Sequence, residues 1–188
     1  MKGCIILYGI QASGKGTQGA ALAKILGIPH ISAGDALRAI AKRSDPLALQ
    51  VKSYIDNGKL LPDQVMNDIM QDVLPQECIV DAFTRSVGQS KYLDSIRHVR
   101  AFINLTIPEP EIKRRIAERR TIEGRADDTP EALAVRIGLH QERAPDIIAH
   151  YDAQGLLYHI DGDQPINEVT KDILRALSER IPDELQQT

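Results

Sequence analysis

The chain has 188 residues, 43% hydrophobic and 26% charged, which suits one domain with its own core. A formal net charge of -3 and a pI near 6.0 provide no global positive field, so neither nucleic acid nor an anionic membrane is an expected partner, whereas small molecules are. Cys4 and Cys78 lie alone in apolar runs, no leader-like stretch precedes residue 9 and no run of 18 apolar residues occurs; a soluble, reduced, cytoplasmic monomer without structural zinc is therefore expected.

Cys4-Ile5-Ile6-Leu7-Tyr8 is apolar and β-branched enough for a buried parallel strand, and Gln18 to Leu26 reads as a helix. Between them stands Gly9-Ile10-Gln11-Ala12-Ser13-Gly14-Lys15-Gly16-Thr17, which in this context reads as a phosphate-binding loop. Glycines let successive N–H groups point inward, the helix start adds its positive end, and Lys15 adds a point charge on the outer phosphates. The general pattern places Ser or Thr directly after the Lys as a magnesium ligand; here Gly16 intervenes and the hydroxyl arrives at Thr17. A glycine-bearing turn that binds nothing is the competing reading, but it leaves the Lys and the flanking elements unexplained. Of the 23 basic residues 14 are Arg, a bias that suits bidentate contact with phosphate oxygens.

Gly14 to Gln18, Gly-Lys-Gly-Thr-Gln, resembles the loop of adenylate kinases and their nucleoside monophosphate kinase relatives. The brief strand and helix start His30-Ile-Ser-Ala-Gly-Asp-Ala-Leu-Arg38 resembles a segment of the same family, in which an Arg at the position of Arg38 holds the acceptor monophosphate. Taken alone, Arg38 is a solvated helix residue. Ala33 stands where adenylate kinases usually have Thr and where the uridylate and cytidylate branch more often has Ala. Asp45-Pro46 opens a further helix that Gly58 ends. The returning segment Gly58 to Asp63 implies, by resemblance, that the backbone of Lys59, Leu60 and Leu61 lines the adenine pocket for AMP. Val65, Met66, Ile69, Met70 and Val73 then give a core helix.

Cys78-Ile79-Val80-Asp81 reads as a buried strand ending in an acid at the loop end of the sheet, where a carboxylate can order magnesium and its waters. Adenylate kinases usually continue Asp-Gly-Phe-Pro-Arg-Thr with a Gln further on. Asp81, Phe83, Arg85 and Gln89 fit that frame, while Ala82 replaces the Gly and Thr84 the Pro. The Pro normally follows a cis peptide bond, which before Thr would cost about 3 kcal/mol, so either that bond is retained or Arg85 is repositioned. Gln89 can donate and accept at adjacent adenine atoms, where the uridylate and cytidylate relatives usually place Asn; a surface Gln is the alternative.

Val99 to Ile107 reads as a strand, with Pro108 and Pro110 opening a helix in which Arg114, Arg115, Arg119 and Arg120 crowd beside Glu111, Glu118 and Glu123. By composition this is as much a solvated face as a site. Arg119, then Gly124-Arg125-Ala126-Asp127-Asp128, then Arg136 match the short-lid form of adenylate kinase, whose arginines at these places grip the transferring phosphate. Thr129-Pro130 caps a helix that carries Arg136 to Pro145 or beyond, with Arg143 a secondary candidate on the same face. Leu156 to Ile160 is a last strand, Ile166 to Leu177 a last helix, and Ser178 to Thr188 a polar tail expected to fray.

Alternating strands and helices require right-handed crossovers and an α/β fold with a parallel sheet covered on both faces. The resemblance implies five strands in the order 2-3-1-4-5 and a P-loop nucleoside monophosphate kinase architecture. Its core would be residues 1–31, 60–120 and 130–188, with a monophosphate-binding insertion at 32–59 and a short lid at 121–129. It implies magnesium-dependent transfer between ATP and AMP, with catalysis by Lys15, Arg85, Arg119, Arg125 and Arg136. ATP would be bound by Ala12, Ser13, Gly14, Lys15, Gly16, Thr17 and Arg119. AMP would be bound by Ala33, Arg38, Lys59, Leu60, Leu61, Arg85, Gln89, Arg125 and Arg136, and Asp81 and Asp35 would reach the metal through water. A uridylate or cytidylate kinase, or a nucleotide-binding regulator weakened by Ala82 and Thr84, are the alternatives.

Overall fold

The computed structural model of the chain describes residues 2–123 and 129–178, with the side chains of 119–123 left aside. Its strands are β1 (Cys4–Tyr8), β2 (His30–Ser32), β3 (Cys78–Asp81), β4 (Val99–Thr106) and β5 (Leu157–Asp161). They form one parallel sheet in the order β2-β3-β1-β4-β5, as the resemblance implied. The central strand β1 is buried throughout, which explains its unbroken apolar run. Alternation splits it between two cores. Cys4, Ile6 and Tyr8 join Phe83, Phe102 and Tyr151 on one face, while Ile5 and Leu7 join Leu22, Ile103 and Ile173 on the other.

The helices are α1 (Lys15–Leu26), α2 (Ala33–Ala41), α3 (Pro46–Asp56), α4 (Asp63–Val73), α5 (Val87–Ile96), α6 (Glu109–Glu123), α7 (Pro130–Asp152) and α8 (Ile166–Ser178). Helices α4, α5 and α7 supply the first core and α1 and α8 the second. Buried Gln18 ties α1 to α8: its amide donates to the Ile166 carbonyl at 3.0 Å and accepts from the Thr170 hydroxyl at 2.7 Å. Cys4 and Cys78 are register partners on neighbouring strands, both fully buried, with sulfurs 3.0 Å apart as free thiols.

The structure differs from the sequence reading at the start of α1, at Lys15 where Gln18 was read, and in one whole element, while α7 continues beyond Pro145 as the reading allowed. Helix α7 runs through Pro145 to Asp152; proline lacks the N–H that would reach the carbonyl one turn back, and the helix continues regardless because Ala144, Ile147 and Tyr151 bury its inner face. Helix α5 went unread. Its signal is a Ser-x-x-Gln start: the Ser86 hydroxyl accepts from the Gln89 N–H at 3.0 Å, as in a capping box. The fraying expected beyond Ser178 falls outside the described residues.

Ile173 is fully buried in the second core, so Ile173→Ala should cost about 2–5 kcal/mol in urea unfolding, against under about 0.5 kcal/mol for exposed Lys171→Ala.

Candidate active site

A cleft of about 1070 Å³ opens at the carboxyl ends of the strands, where ligands of open parallel sheets sit. Its floor is the loop between β1 and α1. Gly9 has φ 138°, and a Cβ there would lie 2.3 Å from the Leu105 carbonyl oxygen, so the chain can turn only with glycine. Gly14 caps α1 at φ 98° with no side-chain acceptor competing for the helix N–H groups, which are left to face the cleft. Lys15 is 8% exposed, and its ammonium donates to the Gly9 and Ile10 carbonyls at 2.9 and 2.6 Å and to the Ser13 hydroxyl at 3.3 Å. Ala12, Ser13, Gly14, Gly16 and Thr17 all line the cleft with it.

The opposite wall carries the expected acceptor residues. Arg38 lines it and pairs with Asp35 at 2.5 Å, and Lys59, Leu60 and Leu61 line it beyond the end of α3. Ala33, between lining residues Ser32 and Gly34, is fully buried beneath and turns its methyl group into the core. The Phe83–Thr84 peptide is trans, and Arg85 still reaches the cleft, its Nε donating to the Ala82 carbonyl at 3.3 Å. Burial, then the nearby Arg136, push the Arg85 guanidinium below its ordinary value, opposed by Tyr8 and Asp81; it stays charged, as arginine does in proteins. Gln89 is 2% exposed with its amide fixed at both ends. The Arg85 N–H reaches Oε1 at 2.7 Å, and Nε2 donates to Asp63 at 2.9 Å, which settles which end is oxygen.

Asp81 is 4% exposed at the end of β3, and its two oxygens accept from Ser32 at 3.1 Å and pair with His30 at 2.6 Å. A Cβ on Gly19 of α1 would come within 2.3–2.7 Å of the His30 ring, so that glycine makes room for the partner of Asp81.

Helices α6 and α7 close the cleft. The arginine run on α6 divides: Arg114 pairs with Glu111 and Glu118, and Arg115 pairs with Glu111 and reaches the Gly162 carbonyl, so these two are held by their own helix and by the end of β5. The Arg119 side chain and Arg125, both expected on the transferring phosphate, lie outside the described residues, as does 124–128 of the expected lid. Arg136 on α7 lines the cleft, reaching Gln11 of the phosphate loop at 3.3 Å and the Ile55 carbonyl of α3 at 3.2 Å, and Arg143 lines it further along. Sequence reasoning missed Tyr8 and His140 as lining residues and named Gln11 only as a member of the phosphate-binding loop. For His140 the signal was present, since it follows Arg136 by four residues on one helix face.

The non-glycine residues with positive φ among those described are Ala12 at 64° and Ala82 at 59°, and both line the cleft. Left-handed backbone at an L-residue costs about 1–2 kcal/mol, partly offset by the freedom a glycine would lose on folding. Ala82→Gly should therefore remain within about 1 kcal/mol of the parent in denaturant unfolding, whereas Ala82→Val, with a branched Cβ, should lose more than about 1 kcal/mol.

The family model described as adenylate kinase matches residues 7–156. A curated adenylate kinase of Cyanothece sp. is 36% identical, with 90% of this chain and 92% of that protein covered. One of Micrococcus luteus is also 36% identical, covering 92% and 89%, and one of Staphylococcus aureus is 32% identical, covering 92% and 98%. The cleft that sets Lys15 against Arg85 and Arg136 is thus found in a chain that belongs to the adenylate kinase family.

Proposed function

We propose that this chain transfers the terminal phosphoryl group of ATP reversibly to AMP, giving two ADP. The observation that carries the reading is that one cleft holds the phosphate loop on one side and Arg38, Arg85 and Arg136 on the other. An AMP phosphate oxygen is already ionised, so the reaction needs no strong base; it needs in-line positioning and neutralised charge. The loop N–H groups and Lys15 hold the donor phosphates, and Arg38 and Arg85 hold the acceptor phosphate. Arg136, with Arg119 and Arg125, grips the transferring group.

Adenine recognition is assigned to Gln89 and to the backbone from Lys59 to Leu61. With one Gln89 lone pair used by Arg85 and one N–H by Asp63, the amide keeps one acceptor and one donor site, the pair that adjacent adenine atoms require. Residues 32–59 serve as the monophosphate-binding insertion, 121–129 as a short lid, and the remainder as core. Closure over both substrates keeps water from accepting the phosphoryl group.

Magnesium suits this donor set: it binds through one or two carboxylates, waters and substrate phosphates, and the cleft presents Asp81 and Asp35 with the Thr17 hydroxyl beside the phosphate loop. Thr17 would bind the ion directly and Asp81 and Asp35 through water, and the ion supplies charge neutralisation at the phosphates. The clamp of Asp81 by His30 and Ser32 fixes the carboxylate orientation in advance. No helix among the described residues is long and apolar enough to cross a membrane. The assignment to the cytoplasm as a monomer rests on the sequence reading alone.

A coupled assay with magnesium-ATP should show turnover with AMP far above that with UMP, CMP or GMP. Comparable rates with UMP or CMP would move the assignment to the pyrimidine branch, and absence of turnover from ATP-binding protein would make it a regulator. Lys15→Ala should lower kcat on the order of 10³-fold or more, with unaltered thermal unfolding separating that loss from misfolding.

A further inference from the structure

We propose that the His140 imidazole is a further catalytic group of this cleft, hydrogen-bonding a substrate phosphate oxygen where the donor held by Lys15 meets the acceptor held by Arg85. The inference rests on the phosphoryl-transfer reading above and adds a residue to it. His140 lines the cleft on α7, one turn beyond Arg136 and on the same face. Its ring stacks on Tyr8, the last residue before the phosphate loop, with centroids 5.4 Å apart and planes at 30°. Tyr8 lies against Phe102 at 5.0 Å, and Phe102 stacks on Tyr151 at 4.4 Å. The imidazole is therefore the cleft end of an aromatic column whose other members are in the core, and the column sets the ring plane before substrate arrives.

None of the hydrogen bonds among the described residues uses a His140 ring nitrogen. The charged groups nearest the ring come from two other elements: Lys15 from α1 and Arg85 from the loop after β3. Its own helix adds Arg136 and Arg143 to the cleft wall. A ring among these cations is surrounded by the groups that collect phosphate, and it retains a neutral N–H donor. Burial first, and then Arg85 and Lys15, push its pKa down from 6.5 to about 4, so the imidazole is neutral at neutral pH. Phosphates bound to those two cations offset their field, and the pKa must then rise. Binding takes up a proton between the free and bound midpoints, and lowering the pH into that window strengthens binding through His140.

The test joins spectroscopy and kinetics. In the wild-type protein the His140 Cε1–H resonance is titrated by NMR from about pH 4 to pH 8, alone and with AMP plus magnesium-ADP. The midpoint should move upward with the nucleotides, and an unmoved midpoint overturns the inference. H140F keeps the stack on Tyr8 but has no donor, and should lower kcat/KM for AMP about ten- to a hundredfold. H140Q restores an N–H without titrating, and should recover much of that loss while flattening the acid side of the pH profile relative to wild type. H140F kinetics identical to wild type overturn the inference, and if H140F does not fold, the wild-type titration decides. Wild-type protein that fails to turn over AMP refutes the underlying reaction, whereas normal wild-type turnover with an unaffected H140F refutes only the role of His140.

Discussion

Cations crowded at one point repel one another, and the placement of Lys15, Arg85 and Arg136 around one cleft is the constraint on which the rest of this structure turns. Backbone oxygens help to hold each of them: the Gly9 and Ile10 carbonyls at Lys15, the Ala82 carbonyl at Arg85 and the Ile55 carbonyl at Arg136. A carbonyl dipole steadies a cation without cancelling its charge, as a carboxylate would. The low-dielectric walls of a cleft concentrate the field that such cations present to an anionic ligand. The phosphate loop takes its shape from the same need, because its oxygens can turn inward to Lys15 only through backbone that departs from ordinary φ at Gly9, Ala12 and Gly14.

The sheet supplies the rigidity behind this arrangement. Its central strand is wholly buried, and the residues that leave the strand ends are those that build the site: Gly9 after β1, Ala82 after β3 and Gly162 after β5. Helix α7 forms the far wall, and through Arg136 it touches both the phosphate loop and the end of α3. The contact at α3 is close: a Cβ on Gly58, which sits at φ 66°, would approach the Ala132 backbone to 2.5 Å. Three regions of the sequence thus meet at the Arg136 side chain, which bridges the phosphate loop and α3, and two of them also meet backbone to backbone at Gly58 and Ala132.

Much of this was legible in the sequence, and what was not has a physical reason. The apolar runs at Cys4–Tyr8 and Cys78–Asp81 announced buried parallel strands, and the glycines and Lys15 between strand and helix announced the loop. The strand order came with the resemblance, since periodicity carries no information on which strands are neighbours. Helix α5 escaped because Gly88 and Ser90 dilute its apolar stripe, and its start rests on a side-chain cap. The arginine run on α6 could not be sorted from composition, because the pairing of Arg114 and Arg115 with Glu111 depends on which rotamers the helix and β5 allow. Ala33 was read as an acceptor contact, and that its methyl group is fully buried in the core is a matter of packing that side-chain identity alone does not reveal. The helical spacing from Arg136 places His140 on the cleft face, but its stack on Tyr8, 132 positions away, is one that no local pattern encodes.

The buried thiols Cys4 and Cys78 carry a consequence of a different kind. They face each other across neighbouring strands at the centre of the sheet, with no exposed surface. A bulky thiol reagent can reach them only after β1 and β3 separate, which dismantles the phosphate loop with them. Labelling of these sulfurs is thus a built-in clock for opening of the whole domain, and its rate reads out the lifetime of the folded enzyme without an assay of its chemistry.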